Sequence, residues 1–177
     1  MTEERVSVKK LREDLYLFDE ARDATGYLLI GDEKACLIDT MIGRQNLYEL
    51  VRRYTQKPII VVNTHGHCDH IYGNGYFEKA YMNYKDMDLA KEAMAFPEFV
   101  EECKKYGVSM PPFEDIHEGD TIDLGGKTLE IYDIPGHTPG GILLLCREER
   151  ILFTGDSINH HLWMQLPTSS SIKDLVE

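Results

Sequence analysis

The stretch VVNTHGHCDHIYGN, residues 61–74, places three histidines and an aspartate within six positions, directly after a run of β-branched residues. These four residues are His65, His67, Asp69 and His70. The whole chain of 177 residues has only seven histidines, so composition does not explain this density. The run IIVVN, residues 59–63, is typical of a strand that is buried on both faces of a sheet. The sequence therefore predicts a buried strand that ends in a loop rich in metal-binding side chains.

The spacing within the loop suggests how the side chains divide. In a loop that leaves a strand, residues i and i+2 tend to project to the same side. His65 and His67 can then bind one ion, while Asp69 and His70 turn towards a second ion beside it. Imidazole and carboxylate ligands together suit zinc, iron or manganese. The alternative, a solvated histidine-rich loop, fits HxHxDH at the end of a buried strand much less well.

Two later segments offer further ligands. His137 stands in DIPGHTPGG, residues 133–141, where proline and glycine restrict the turn after a strand. Asp156 stands in ILFTGDS, residues 151–157, at the end of another apolar strand, and a carboxylate there can bridge two cations. Because every candidate ligand follows a strand, all of them can gather along one edge of the sheets.

Composition and charge limit the classes of protein that fit. The chain carries 19 basic and 31 acidic residues, a net charge of −12, and such a field repels phosphate backbones. No apolar stretch reaches the roughly 20 residues of a membrane span, and the segment MTEERVSVKK lacks the apolar core of a secretory signal. The four cysteines are scattered, which favours reduced thiols. We therefore expect a cytoplasmic protein with a small-molecule substrate and with no nucleic-acid or membrane partner.

The order of predicted elements is strands and then helix, followed by strands again and the start of a helix. This order suggests two related halves, each of which places a sheet against helices. Strands are predicted at 14–20, 26–32, 34–40, 59–63, 142–146 and 150–156, with a hairpin at 120–134. Helices are predicted at 43–56, across 77–107 with a division at Pro97, and at the end of the chain, with a rigid loop at 109–115.

These features together resemble the metallo-β-lactamase-fold hydrolases, over roughly residues 12–177. The matching segments are CLIDT (36–40), THGHCDH (64–70), PGHTPGG (135–141) and FTGDS (153–157). The glyoxalase II-like branch is the most similar, since the lactamase branches that use a thiolate carry cysteine in place of Asp156. The resemblance implies a mixed α/β fold, a four-layer αββα sandwich with a dinuclear metal site at one edge.

The resemblance also implies a role for each candidate ligand. It assigns His65, His67 and His137 to the first metal, Asp69 and His70 to the second, and Asp156 to both. Two zinc ions are implied, with iron or manganese as alternatives. Asp69 could in addition orient the nucleophile or handle its proton. Asp39 would orient the ligands, unless it is a plain turn residue at the end of a strand.

One expected ligand has no counterpart in the sequence. Family members carry a further histidine, a ligand of the second metal, on a strand well past the bridging aspartate. His160 and His161 follow Asp156 too closely to match it, and we interpret them as residues that rim the site, with a substitute ligand at either position as the alternative. We therefore expect a single domain, residues 1–177, that lacks its C-terminal strand and helix and whose second site is weak.

The implied activity is hydrolysis of a small ester, thioester, lactone or phosphodiester by a metal-bound hydroxide. A mono-iron, sulfur-oxidising oxidoreductase of the same fold is one alternative, and a metal-binding fragment without turnover is another. Oligomeric state stays open, with a homodimer as one alternative. Further residues considered for the rim of the site are Tyr72, Phe113 and Trp163, while Cys68 is expected to face away from the ligands.

Overall fold

Two β-sheets contain all the strands in residues 6–160 and 164–176, the ranges that this computed structural model describes. The larger sheet has the order β1 to β7, with β1 Val6–Arg12, β2 Leu15–Glu20, β3 Ala24–Ile30, β4 Ala35–Ile38, β5 Ile59–Val62, β6 Ala80–Met82 and β7 Phe113–Asp115. The smaller sheet has the order β11-β10-β9-β8, with β8 Thr121–Asp123, β9 Thr128–Asp133, β10 Ile142–Cys146 and β11 Ile151–Phe153.

The type of strand pairing changes once within the larger sheet. Strands β1 to β4 pair antiparallel, whereas β4 to β7 pair parallel. The smaller sheet is antiparallel throughout, so β9 and β11 run in the same direction on either side of β10.

The helices are short and mostly lie between the parallel strands in the sequence. They are α1 Leu47–Val51, α2 Cys68–Ile71, α3 Met87–Met94, α4 Pro97–Tyr106 and α5 Ile172–Val176. Short 3-10 helices span Tyr72–Tyr76 and Tyr84–Asp86. No helix in the described ranges combines the length and the apolar character that crossing a bilayer requires.

Buried side chains alternate between the two faces of the larger sheet, and they form one core on each face. Leu29 and Ile38 face the smaller sheet, where they pack in a cluster that contains Leu144. Leu28 and Leu37, their neighbours in sequence, point to the opposite face and pack with α1. This period of two is what a sheet covered on both faces requires, and it places the two sheets face to face beneath a helical layer.

The predicted strands and the hairpin are present, but two predictions between them were wrong. The segment 77–107 does not begin as a helix, because residues 80–82 form β6, which pairs with β5 and β7. Residues 113–115 form β7 and not a loop. Three-residue strands carry too little periodicity to recognise, and pairing with neighbouring strands decides their conformation. The helix predicted at 43–56 is confined to α1, with Asn46 as its N-cap.

Truncation of Leu144 tests how much the core between the sheets contributes to stability. Its side chain is 0% exposed, so Leu144→Ala is expected to lower the free energy of unfolding by about 2–5 kcal/mol, the range for buried leucines. Leu152 on the neighbouring strand is 44% exposed, and Leu152→Ala is expected to change it by less than about 0.5 kcal/mol. Urea denaturation measures both values, and similar losses in the two variants would contradict this assignment of the core.

Candidate metal centre

The histidine cluster lies where β5 leaves the larger sheet. Asn63 donates its backbone N–H to a carbonyl of β6 (2.8 Å), one residue beyond the end of β5. Thr64 instead donates its backbone N–H to Oδ1 of Asp39 (2.8 Å), and the strand ladder ends there. A short helix, α2, then begins directly after His67, where the sequence predicted a loop. The turn and the helix together fix the directions in which the histidine side chains project.

Three imidazole nitrogens converge just beyond this turn. Nδ1 of His67 lies 3.0 Å from Nε2 of His65 and 3.0 Å from Nε2 of His137. His65 and His137 are each 1% exposed. A ring nitrogen either donates its single proton or accepts through its single lone pair. Nδ1 of His67 can therefore form a full hydrogen bond with only one of its two neighbours. The donor set therefore fits a cation, and converging imidazole nitrogens are typical of zinc and iron sites.

Thr64 sets the tautomer of His65. Its hydroxyl donates to Oδ2 of Asp39 (2.8 Å), and its oxygen lies 3.1 Å from Nδ1 of His65. Because the hydroxyl proton is directed to the carboxylate, the oxygen accepts from Nδ1–H, and Nε2 of His65 keeps its lone pair for the centre. Burial lowers the pKa of His65 well below its usual value and lowers the pKa of His67 to about 4. Both rings are therefore neutral at pH 7, the form that binds metal.

A second group of ligand atoms shares His65 with the first and adds His70 and Asp156. Nε2 of His70 lies 3.7 Å from Oδ1 of Asp156 and 3.6 Å from Oδ2 of Asp69. The other oxygen of Asp156, Oδ2, lies 3.6 Å from Nε2 of His137. Asp156 thus presents one oxygen to each group, which is the arrangement that a bridging carboxylate requires.

Asp39 contacts His70 from the side opposite the centre. It is 4% exposed, and its Oδ2 lies 2.8 Å from Nδ1 of His70. Burial acts to lower the pKa of His70, but the negative charges of Asp39 and its acidic neighbours outweigh burial, and the pKa rises to about 9. The backbone of Asp39 has a φ of 60°. A Cβ at Gly26 would lie 2.5 Å from the carbonyl oxygen of Asp39, so the close approach of β3 to the residue after β4 requires glycine.

Asp86, which no motif in the sequence singles out, joins the two loops that carry the candidate ligands. Its carboxylate is 0% exposed. Oδ2 accepts from the backbone N–H of Gly66 (2.9 Å) and from the hydroxyl of Thr138 (2.7 Å). Oδ1 accepts from the backbone N–H of Gly140 (2.6 Å). One carboxylate therefore ties the HxH loop to the loop that contains His137.

One signal in the sequence could have revealed Asp86. Like the other acidic residues of the site, it follows the end of a strand, β6. The prediction of a helix across residues 77–107 hides that strand, and with it the position of Asp86 beyond a strand end. Burial raises the pKa of the Asp86 carboxyl, while the hydrogen bonds that it accepts act to lower it.

The centre opens into a cavity of about 400 Å³. The side chains of Asp69 and Asp156 are 35% and 38% exposed, and both border this cavity. Cys68 borders it as well, contrary to the expectation that it faces away. Burial raises the pKa of its thiol, which favours the neutral and less nucleophilic form.

Two of the other rim residues proposed from the sequence, Tyr72 and Phe113, pack away from the cavity. Tyr72 stacks on an aromatic ring of α4 at 4.1 Å between centroids and donates its hydroxyl to a carbonyl of α3 (2.6 Å). Phe113 belongs to β7 and packs in the core beneath the helices. His160 is exposed, and His161 and Trp163 lie outside the described residues.

Comparison with curated proteins gives relatives of several activities. Coenzyme F420H(2) oxidase of Methanocaldococcus jannaschii is 34% identical over 77% of this chain and 34% of its own length. Acyl-coenzyme A thioesterase MBLAC2 of Homo sapiens is 25% identical over 80% of this chain and 60% of its own. Hydroxyacylglutathione hydrolase GloC of Haemophilus influenzae is 29% identical over 73% and 64%. The chain thus spans about a third to two thirds of the length of these relatives.

Two solved structures share the fold of this chain. The metallo-beta-lactamase family protein TTHA1429 of Thermus thermophilus superposes with a TM-score of 0.67 at 21% identity, over 94% of this chain and 67% of that one. A di-iron-bound form of TTHA1623 gives a TM-score of 0.63 at 24% identity, over 85% and 76%. The fold class predicted from the sequence is confirmed.

The family assignment rests on the length of the match as well as on the motifs. The sequence profile described as the Metallo-beta-lactamase superfamily matches residues 20–168, which include both ligand-bearing loops and Asp156. The glyoxalase II-like branch is represented among the relatives by the hydroxyacylglutathione hydrolase, beside relatives with other activities. The chain belongs to the metallo-beta-lactamase superfamily.

Proposed function

We propose that the protein is a metal-dependent hydrolase of a small ester, thioester, lactone or phosphodiester. The observation that carries the proposal is the convergence of three imidazole nitrogens beside a carboxylate that directs one oxygen to each group of ligand atoms. The relatives named as a thioesterase and as a hydroxyacylglutathione hydrolase support hydrolysis.

The proposed cofactor is a pair of zinc ions, of which the second is held more weakly. We assign His65, His67 and His137 to one ion, Asp69 and His70 to the other, and Asp156 to both. When bound, the ions would polarise the substrate oxygen, stabilise the negative charge that develops on it and lower the pKa of a water molecule.

Asp69 is the proposed catalytic residue of the chain itself. Its carboxylate is partly exposed to the cavity and lies 3.6 Å from His70. From this position it can accept a hydrogen bond from the attacking water and hold the proton that the water loses. Asp39 holds His70 from behind, and Thr64 holds His65. The chain thus contributes fixed ligand directions and a carboxylate beside the reacting atoms.

Partners and location are proposed from charge and cysteine chemistry. The net charge of −12 supports a small-molecule substrate and argues against nucleic acid as a partner. The four cysteines are free thiols, which supports a cytoplasmic location. A homodimer is the proposed alternative to a monomer.

An iron-dependent oxidoreductase, such as a mono-iron, sulfur-oxidising enzyme, is the second candidate. The relative named as coenzyme F420H(2) oxidase supports an oxidoreductase, and another relative is named as persulfide dioxygenase ETHE1. Sites of imidazole and carboxylate accept iron as well as zinc, according to geometry and supply.

Metal analysis of protein purified without added metal tests the proposal. We expect zinc in the purified protein and hydrolysis of at least one substrate in a panel of esters, thioesters, lactones and phosphodiesters. Removal of the metal with a chelator should abolish that activity, and zinc should restore it. Iron together with oxygen uptake on a persulfide substrate would instead support the oxidoreductase. Bound metal without turnover on either kind of substrate would leave a metal-binding fragment and overturn both enzyme assignments.

A further inference from the structure

The wall of the cavity opposite the ligands is apolar. On one side the cavity borders His67 and Asp156, and the remaining wall comes from α3, the α3–α4 junction and the segment before α5. The apolar side chains of this wall are Leu89, Ala93, Phe96, Leu166 and Pro167. A polar reacting centre is therefore continuous with an apolar groove, as in sites that bind a substrate with a reactive head and a hydrocarbon tail.

Phe96 is held at the groove by its neighbour in sequence. Pro97 is the first residue of α4, a position that suits proline because its fixed φ matches the helix. Proline also restricts the residue before it to extended backbone, and Phe96 has φ −62° and ψ 131°. The ring is 54% exposed. Because its backbone is restricted in this way, Phe96 loses little backbone freedom when an apolar group binds against its exposed ring.

Charge at the groove selects against anionic groups. None of the described residues that border the cavity is a lysine or an arginine, and Glu92 adds a carboxylate to the apolar wall. A phosphate or carboxylate tail would find no cationic partner there and would face a negative charge. A hydrocarbon chain would instead cover the exposed part of Phe96 and the half-buried side chain of Leu89.

We infer that this groove binds the unbranched acyl chain of a thioester or ester, with the acyl carbon beside the metal ligands. The inference rests on the proposed hydrolase function and narrows its substrate class. In the reaction, the oxygen of water bonds to the acyl carbon, and the bond from that carbon to sulfur or oxygen breaks. The leaving group takes the electron pair and one proton of the water, and the carboxylic acid is released as its carboxylate, with the second proton passing to the solvent.

A binding experiment with 2-alkanones tests the groove independently of turnover. These ketones keep the acyl carbonyl and chain but have a methyl group in place of the leaving group, so they cannot be hydrolysed. Titration of the purified protein with 2-hexanone, 2-octanone and 2-decanone, followed by amide chemical shifts, should give a dissociation constant that falls about fourfold for each added methylene. The shift changes should centre on α3 and Phe96.

Two matched variants test whether the alkyl chain of the ketone binds in the groove. Phe96→Ser should weaken binding of 2-decanone about tenfold and reduce the dependence on chain length. Val100→Ser removes another exposed apolar side chain, 39% exposed and four residues further on, that does not border this cavity. It should leave both quantities unchanged. Equal affinity for all three ketones, or equal effects of the two variants, would overturn the groove assignment.

Turnover separates this inference from the proposed function. Acyl thioesters and 4-nitrophenyl esters of increasing chain length should show kcat/KM that rises with length in the wild type and rises less in Phe96→Ser. The two series also distinguish a thioester substrate from an ester. Hydrolysis that does not depend on chain length would overturn the groove while the hydrolase stands. Binding of ketones that depends on chain length, without hydrolysis, would uphold the groove and overturn the hydrolase.

Discussion

Replacing His67 by alanine is expected to remove the metal from the first group of ligands and to abolish turnover. Nδ1 of His67 is the atom that both other nitrogens of this group approach, at 3.0 Å from His65 and 3.0 Å from His137. Loss of residues that only support a metal ligand costs about 10–100-fold in affinity or activity, so loss of the ligand itself should cost at least about a hundredfold. Elemental analysis and calorimetric titration with zinc measure the change.

The fold should survive this substitution, so loss of metal can be assigned to the ligand. His67 precedes α2, but its side chain makes no capping hydrogen bond to the helix, and alanine therefore removes no cap. His117 provides the control, because its side chain is 61% exposed and pairs with Asp120 away from the centre. His117→Ala should bind zinc as the wild type does. Full metal occupancy in His67→Ala would refute the assignment of the first site.

The convergence of the candidate ligands could be predicted from the sequence because each of them follows a strand whose end lies at the same edge. Strands β4, β5 and β6 are parallel, and β9 and β11 run in the same direction as each other. His65 follows β5, His137 follows β9, and Asp156 follows β11. A pattern of apolar run and then polar ligand is local, so it can be recognised without knowing which strands pair.

What could not be predicted depends on contacts between distant segments. Strand β6 has three residues, and its conformation comes from pairing with β5 and β7. Asp86 links two separate loops only because the backbone N–H groups of Gly66 and Gly140 donate to its carboxylate in the folded chain. The tautomer of His65 likewise depends on the hydrogen bond between Thr64 and Asp39. None of these contacts between distant segments leaves a periodic pattern or a motif in the sequence.

Replacing Asp86 by asparagine is expected to weaken metal binding by about 10–100-fold, although Asp86 is not a ligand. Asparagine has nearly the same shape but exchanges one acceptor oxygen for a donor group. Whichever way the amide turns, a backbone N–H of Gly66 or Gly140 that now donates to the carboxylate faces a donor instead. A buried donor without an acceptor costs about 1–3 kcal/mol. The loops that carry the histidines would then lose their common anchor.

Asp88→Asn is the matched control, since Asp88 lies two residues further on, its side chain is 94% exposed, and it pairs with Lys91 at the surface. Such a pair contributes little, so zinc affinity should not change. Gly140→Ala disturbs the same carboxylate from the loop that contains His137, because the added Cβ would lie 2.8 Å from Oδ1 of Asp86. If Asp86 served stability alone, Asp86→Asn would unfold at lower urea yet bind zinc like the wild type while folded. Weaker zinc binding by folded Asp86→Asn and Gly140→Ala, but not by Asp88→Asn, would instead show that the carboxylate positions the two histidine loops for the metal.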